Sequence, residues 1–297
     1  MPKTARPRRS VLYMPGSNAR ALEKAKGLPA DALILDLEDA VAPDAKDQAR
    51  LQVCNAVRDG GYGMREIIVR VNGLATPWGY EDIVAASKSG ADALLLPKVE
   101  SADAIRHMES VMRANGAPDR MAIWAMMETP RSVLASEQIA AATPRMECLV
   151  MGTSDLAKEL DCAHTRERLP FITSLGLCLL AARAYGLAVV DGVYLDLKDE
   201  SGFEFACRQG AEMGFDGKTL IHPNQVAMCN EVFTPRPEDV EWSRKIIAAH
   251  AEAAARGEGV AVVDGKLIEN LHVESAKRLV KMAEAIDKMH ASLQPAE

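Results

Sequence analysis

Eight short apolar runs recur between Val11 and Ile221, and none of them alternates with polar residues. They read VLYM from Val11, ALILDL from Ala32, IIVRV from Ile67, ALLLP from Ala93, AIWAMM from Ala122, CLVM from Cys148, AVVDGVY from Ala188 and KTLI from Lys218. A strand with one wet face alternates, whereas continuous runs suit parallel strands buried on both faces. Stretches with helical spacing lie between them, such as SADAIRHMESVMRANG and TPRSVLASEQIAAAT. Eight strands alternating with helices predict an α/β fold, a (β/α)8 TIM barrel over residues 11–232. A doubly wound open sheet is the weaker alternative. It prefers fewer strands and G-x-G-x-x-G after the first, where this chain has GSN.

The pattern changes after residue 232. Pro237, with Glu238 and Asp239 behind it, opens a long helix that Gly257 and Gly259 close. VAVVDGKLI reads as a hairpin turning at Asp264-Gly265. VESAKRLVKMAEAIDKM reads as a final amphipathic helix. Residues 233–297 therefore form a helix–hairpin–helix extension, expected to cap the barrel or to pack on a neighbouring subunit. At the other end, residues 1–10 are basic and read as a flexible arm, because no apolar signal-peptide core follows them.

A net charge of −7 argues against a nucleic-acid partner. No apolar run approaches the length of a membrane span. The six cysteines are dispersed and none forms a C-x-x-C pair, so zinc and redox motifs lack support. Unpaired thiols suit a reducing, cytoplasmic compartment.

Active sites of (β/α)8 barrels lie at the C-terminal ends of the strands. Those ends carry Asp36, Glu38 and Asp39 after the second run, Arg70 and Asn72 after the third, and Lys98 after the fourth. Glu128 follows the fifth, Asp155 the sixth, Asp191 lies in the seventh, and His222 and Asn224 follow the eighth. Strands five and six are neighbours, about 4.8 Å apart, so Glu128 and Asp155 can share one ion. Two carboxylates with room for water and a substrate oxygen suit Mg²⁺. Zinc would call for His or Cys ligands, and this rim offers only His222. Blander roles stand beside these. Asp155 could cap a helix starting at LAKEL. Arg70 needs an anion if buried, either a structural acid such as Glu38 or a substrate carboxylate held bidentate. Lys98 could snorkel to the rim, His222 could cap the last barrel helix, and WAMM could simply fill the barrel.

The segments VLYMPGSNARALEKA, LDLEDAVAPDAKDQAR, VRVNG, LLLPKVES, METPRSV, GTSDLAKEL and GKTLIHPNQV occur in this order. Together they resemble the citrate lyase β-subunit-like (CitE-like) branch of the HpcH/HpaI aldolase superfamily. The likeness runs from residue 11 to about 290. It is strongest to stand-alone citramalyl-CoA and malyl-CoA lyases. The resemblance implies a Mg²⁺-dependent barrel enzyme, with Mn²⁺ as a substitute ion. The reaction implied is that of an oxo-acid-lyase, cleaving a 3-hydroxyacyl-CoA into acetyl-CoA and a keto acid, glyoxylate or pyruvate. Carried over by motif, Glu128 and Asp155 are the metal ligands and Arg70 holds the keto acid beside Glu128. Tyr13, Arg20, Lys24, Ile221 and His222 hold the coenzyme A part of the substrate. Asp36 and Glu38 stand behind the metal ligands. A general acid is expected from the C-terminal segment of a neighbouring subunit in a trimer or hexamer, in a pattern like G-x-M-I-D-x-P. This chain departs there: DGKLIENL places Glu269 where the family has Asp, and Leu271 where it often has Pro. Three alternatives stay open, namely a malyl-CoA thioesterase, a citrate lyase β subunit needing partner subunits, and a non-catalytic CoA-ester binding protein.

Overall fold

A computed structural model describes residues 6–293. These form two compact units, residues 8–233 and residues 234–293, the latter joined by residues 6 and 7.

The first unit is a closed barrel of eight parallel strands in sequential order. They are β1 (Ser10–Pro15), β2 (Ala32–Asp36), β3 (Glu66–Arg70), β4 (Ala93–Leu96), β5 (Ala122–Met127), β6 (Met146–Met151), β7 (Ala188–Asp191) and β8 (Gly217–Leu220). Each coincides with one of the apolar runs to within a few residues. The helices that follow the strands include α1 (Ala19–Ala25), α2 (Lys46–Asp59), α3 (Gly79–Ala86), α4 (Ala102–Ala114), α5 (Pro130–Leu134), α6 (Ser136–Ala140), α7 (Thr153–Leu160), α8 (Ile172–Ala184), α9 (Glu200–Met213) and α10 (Val226–Phe233).

Strand residues split into two sets with period two. One set, among it Leu12, Leu33, Leu35, Val69 and Leu149, packs with helix residues such as Leu22, Ile83 and Ile105. The other, among it Val11, Ile34, Ile68, Leu95, Trp124, Cys148 and Val190, packs only with itself and fills the lumen. Both faces are apolar, which is why the sequence runs do not alternate.

The lumen is closed at the N-terminal ends of the strands by a charge. Arg8 lies 5.1 Å over the ring of the fully buried Trp124. Its Nε is 2.6 Å from Glu66 and its Nη2 2.7 Å from Glu147. Arg9 pairs with the buried Asp31 at 2.8 Å. The arm expected over residues 1–10 is therefore shorter at its inner end, since Arg8, Arg9 and Ser10 are buried and Ser10 starts β1. Residues 1–5 lie outside the described residues.

Asp191 departs from the rim expected of it. Val190 points into the lumen, so Asp191, one residue on, points out toward α9. It is fully buried between Lys218 Nζ at 2.9 Å and Arg168 Nη1 at 2.6 Å. Burial alone would raise its carboxyl; the two cations outweigh that and hold it below the ordinary aspartate range.

The second unit packs α11 (Pro237–Ala255) on α12 (Asn270–Leu293), with a hairpin of β9 (Ala261–Val263) and β10 (Lys266–Ile268) between them in sequence. Asp264 and Gly265 both have positive φ, 48° and 76°, as a two-residue hairpin turn of this hand requires. Ile246, Ala253, Ala261, Ile268, Val273 and Ala276 make its small core. No described helix is long and apolar enough to cross a membrane.

Removing the shared anion strands two buried cations, so Asp191→Asn should lower unfolding stability by about 3–5 kcal/mol in urea at pH 7. The depressed carboxyl contributes in full above the unfolded-state value of about 3.9 and loses its contribution as pH falls below it. The gap between wild type and variant should therefore narrow in acid. A constant gap down to pH 3 would contradict the ion-pair assignment.

Candidate active site

Counting by twos from the lumen residues leads to the mouth. Tyr13 follows Val11, Asp36 follows Ile34, Arg70 follows Ile68, and Met126 and then Glu128 follow Trp124. All five line one cavity of about 380 Å³ at the C-terminal ends of the strands. Asp39, Gly152, Thr153, Ser154, Asp155 and Thr219 line it too, with an apolar wall of Met151, Val193, Leu195 and Ile221. Of the residues expected at the site, Tyr13, Asp36, Arg70, Glu128, Asp155 and Ile221 thus meet in one place.

Arg70 is held by the strand register. It stands directly opposite Asp36 in the β2–β3 ladder. Its Nε and Nη2 donate to Asp36 Oδ1 and Oδ2 at 2.6 and 2.7 Å. Its Nη1 lies 2.8 Å from Glu38 Oε2, an ionic contact too bent to count as a hydrogen bond. Tyr13 places its ring 4.9 Å from the guanidinium carbon. The side-on fork that could grip a ligand carboxylate is already closed on Asp36. A ligand at this guanidinium must share it with Asp36 and Glu38.

Glu128 is 1% exposed. Its Oε1 accepts the Lys98 backbone N–H at 2.6 Å. Lys98 can aim that N–H because its φ is +50°, an uncommon conformation for a side chain that is not glycine. The same residue sends Nζ to Glu38 Oε1 at 3.1 Å, with its side chain 49% exposed. It reaches the rim as expected, and its backbone also positions an acid, which sequence reasoning missed. Burial, reinforced by Glu38 and Asp155, pushes the Glu128 carboxyl up to about 7 against the pull of the Lys98 amide and Arg70.

Asp155 does not cap a helix at LAKEL. Helix α7 already starts at Thr153 behind Gly152, and Asp155 sits in its first turn, half-buried. Its carboxylate has no hydrogen bond or ion pair among the described residues. Gly152 is the other residue that sequence reasoning missed, though GTSD contains it. A Cβ there would run into the Glu128 Cβ and come within 2.7 Å of its Oε2.

Two carboxylates thus open on one cavity without a cation of their own. Among the described residues no group of three or more His, Cys, Asp and Glu could hold a metal ion. Magnesium does not need one: it keeps several waters and takes one or two carboxylates. The donor set of Glu128 and Asp155 therefore fits that ion.

Other expected residues lie elsewhere. Arg20 and Lys24 are exposed on α1 and do not line the cavity. His222 caps the turn at Pro223, its Nδ1 accepting the Asn224 N–H at 3.2 Å, the blander of its two readings. Glu269 belongs to the second unit; it is exposed, and its N–H donates to His272 Nδ1 at 3.0 Å.

Gly152→Ala should push Glu128 from its place. A shift of about 1 Å at such a group costs about 10²-fold in turnover, while the melting temperature should fall by only a few degrees. Turnover within threefold of wild type would show that Glu128 tolerates the displacement.

Over 292 residues, 98% of this chain and all of the relative, the chain is 51% identical to a (3S)-malyl-CoA thioesterase of Cereibacter sphaeroides. It is 35% identical to an L-malyl-CoA/beta-methylmalyl-CoA lyase of the same species, covering 96% of this chain and 97% of that one. CitE of Mycobacterium tuberculosis, solved in complex with magnesium, acetoacetate and coenzyme A, superposes with a TM-score of 0.72 at 28% identity, over 95% of this chain and all of the other. Residues 9–223, most of the barrel unit, match the HpcH/HpaI aldolase/citrate lyase family as a whole. The chain belongs to the HpcH/HpaI aldolase/citrate lyase family.

Proposed function

We propose that the chain is a magnesium-dependent enzyme of 3-hydroxyacyl-CoA esters and that it hydrolyses malyl-CoA to malate and coenzyme A. The observation that carries the metal-dependent part is the convergence of Glu128 and Asp155 on one cavity, neither of them ion-paired among the described residues. The choice of hydrolysis follows the 51% full-length likeness to a malyl-CoA thioesterase.

In this reading Glu128 and Asp155 hold Mg²⁺, which when bound neutralises them and polarises a substrate oxygen. Arg70, fixed by Asp36 and Glu38, offers the N–H groups that those acids leave over to the hydroxy-acid portion of the substrate. Met126, Met151, Val193, Leu195 and Ile221 give an apolar wall for the acyl and pantetheine chain and keep bulk water away. Arg20 and Lys24, two cations exposed on α1, supply charge for the coenzyme A phosphates.

A second reading is the carbon–carbon lyase that the barrel motifs imply, giving acetyl-CoA and glyoxylate from malyl-CoA, or pyruvate from citramalyl-CoA. The 35% likeness to a malyl-CoA lyase favours it. That chemistry also needs an acid to protonate the CoA enolate. Glu269, contributed by a neighbouring subunit of a trimer or hexamer, is the candidate. Its extra methylene relative to Asp is a reason for hydrolysis to prevail.

With Mg²⁺ and malyl-CoA, free thiol and malate should appear together, and chelator should stop both. Glu128→Ala should lower turnover by at least about 10³-fold, since a lost ligand costs several kcal/mol of transition-state stabilisation. Acetyl-CoA and glyoxylate in place of malate would establish the lyase instead. Undiminished turnover of Glu128→Ala in chelator would remove the metal from the reaction.

A further inference from the structure

The Tyr13 hydroxyl has a partner that is unusually poor for a polar site. It donates to Met126 Sδ at 3.4 Å, its one hydrogen bond among the described residues. A thioether is a weak acceptor, so exchanging it for an oxygen costs little. The other hydroxyls lining the cavity are committed or shut away. Thr219 donates to the Asp191 carbonyl at 3.0 Å. Ser154 Oγ is closed off from solvent. Thr153 is buried, its Oγ1 packed against Gly192. Tyr13 is half-buried at the mouth and lines the same cavity as Arg70 and Glu128.

We infer that Tyr13 is a catalytic hydrogen-bond donor to the thioester oxygen, distinct from the coenzyme A-holding role that the resemblance gave it. The inference rests on the reading of the cavity as a CoA-thioester site. In hydrolysis water adds to the thioester carbon and the carbonyl π pair moves onto oxygen. The C–S bond breaks as that pair returns. The thiolate takes one proton of the water, and the other is lost as the new carboxylic acid ionises. In carbon–carbon cleavage the thioester oxygen gains negative charge as the enolate forms. Both routes load the same atom, so one donor serves either. Tyr13 keeps its proton throughout. Burial lifts the phenol above the ordinary tyrosine range, against the pull of Arg70, so it is a donor and not a base. Its ring, stacked on Arg70, fixes where the hydroxyl points.

Tyr13→Phe tests this in the full chain, because it keeps the ring over Arg70 and removes only the hydroxyl. With Mg²⁺ and malyl-CoA, thiol release and acetyl-CoA formation are both followed. The expected result is a fall in kcat of about 10²-fold, the usual cost of one lost oxyanion donor, with KM within about threefold. The melting temperature and the Mn²⁺ affinity, read by electron paramagnetic resonance, should stay at wild-type values. A raised KM with unchanged kcat would return Tyr13 to holding coenzyme A and overturn the proposal, as would no change in either. If wild type turns over neither malyl-CoA nor citramalyl-CoA, the reading of the cavity falls and this role with it. An active wild type matched by the variant confines the failure to Tyr13.

Discussion

Closing eight parallel strands into a ring leaves a lumen that every second side chain must fill. Here the filling is apolar through the middle layers, where Ile34, Ile68, Leu95, Trp124 and Val150 meet. It ends in charge at both mouths. At the closed end Arg8 stacks on Trp124 and is neutralised by Glu66 and Glu147. At the open end the next residues in the same phase are Tyr13, Asp36, Arg70 and Glu128. The site is thus the top layer of the barrel filling, made polar. Its precision comes from the ladder hydrogen bonds that fix the strands, which is why Arg70 meets Asp36 without help from any loop.

The charges at the open end are unevenly shared. Arg70 has three acids within 4 Å, Asp36, Glu38 and Asp39, and Lys98 adds a second cation to Glu38. A step away, Glu128 has a backbone amide and Asp155 has nothing comparable. In a low-dielectric wall, an unbalanced acid either takes up a proton or waits for a cation. The Lys98 amide, aimed by a left-handed backbone worth about 1–3 kcal/mol of strain, favours the charged form of Glu128 and so the cation.

Most of the barrel was legible in the sequence because two-sided burial writes itself as continuous apolar runs. The acids at the run ends were legible for the same reason, since a carboxylate does not extend such a run without cause. What escaped needed either phase or tertiary geometry. Asp191 shares its strand end with the rim residues, yet it lies one residue out of phase with Val190 and so faces the helices. A stricter count by twos would have separated it. The Arg70–Asp36 fork depends on strand register, which no local pattern states. Lys98 acts through its backbone, and Gly152 acts by lacking a side chain; neither leaves a chemical signature of its own. The apolar run WAMM places Met126 in the barrel filling. It is filling on one side, and on the other its sulfur accepts from Tyr13.

Under the proposed function, thioester hydrolysis and carbon–carbon cleavage differ less than their products suggest. Both would draw on a cation that Glu128 and Asp155 would hold, and both place negative charge on the thioester oxygen. They part on two points only. Cleavage needs an acid that reaches the acyl carbon, while hydrolysis needs water that reaches the carbonyl. Neither point is decided by the ligand carboxylates or by Arg70. The first depends on a residue outside the barrel, such as Glu269, and the second on how tightly the apolar wall of Met151, Val193, Leu195 and Ile221 closes on the acyl chain. A family can therefore exchange one reaction for the other while its barrel mouth stays the same. Glu269 in DGKLIENL, at the position where the resemblance implies Asp, falls where such an exchange would be expected.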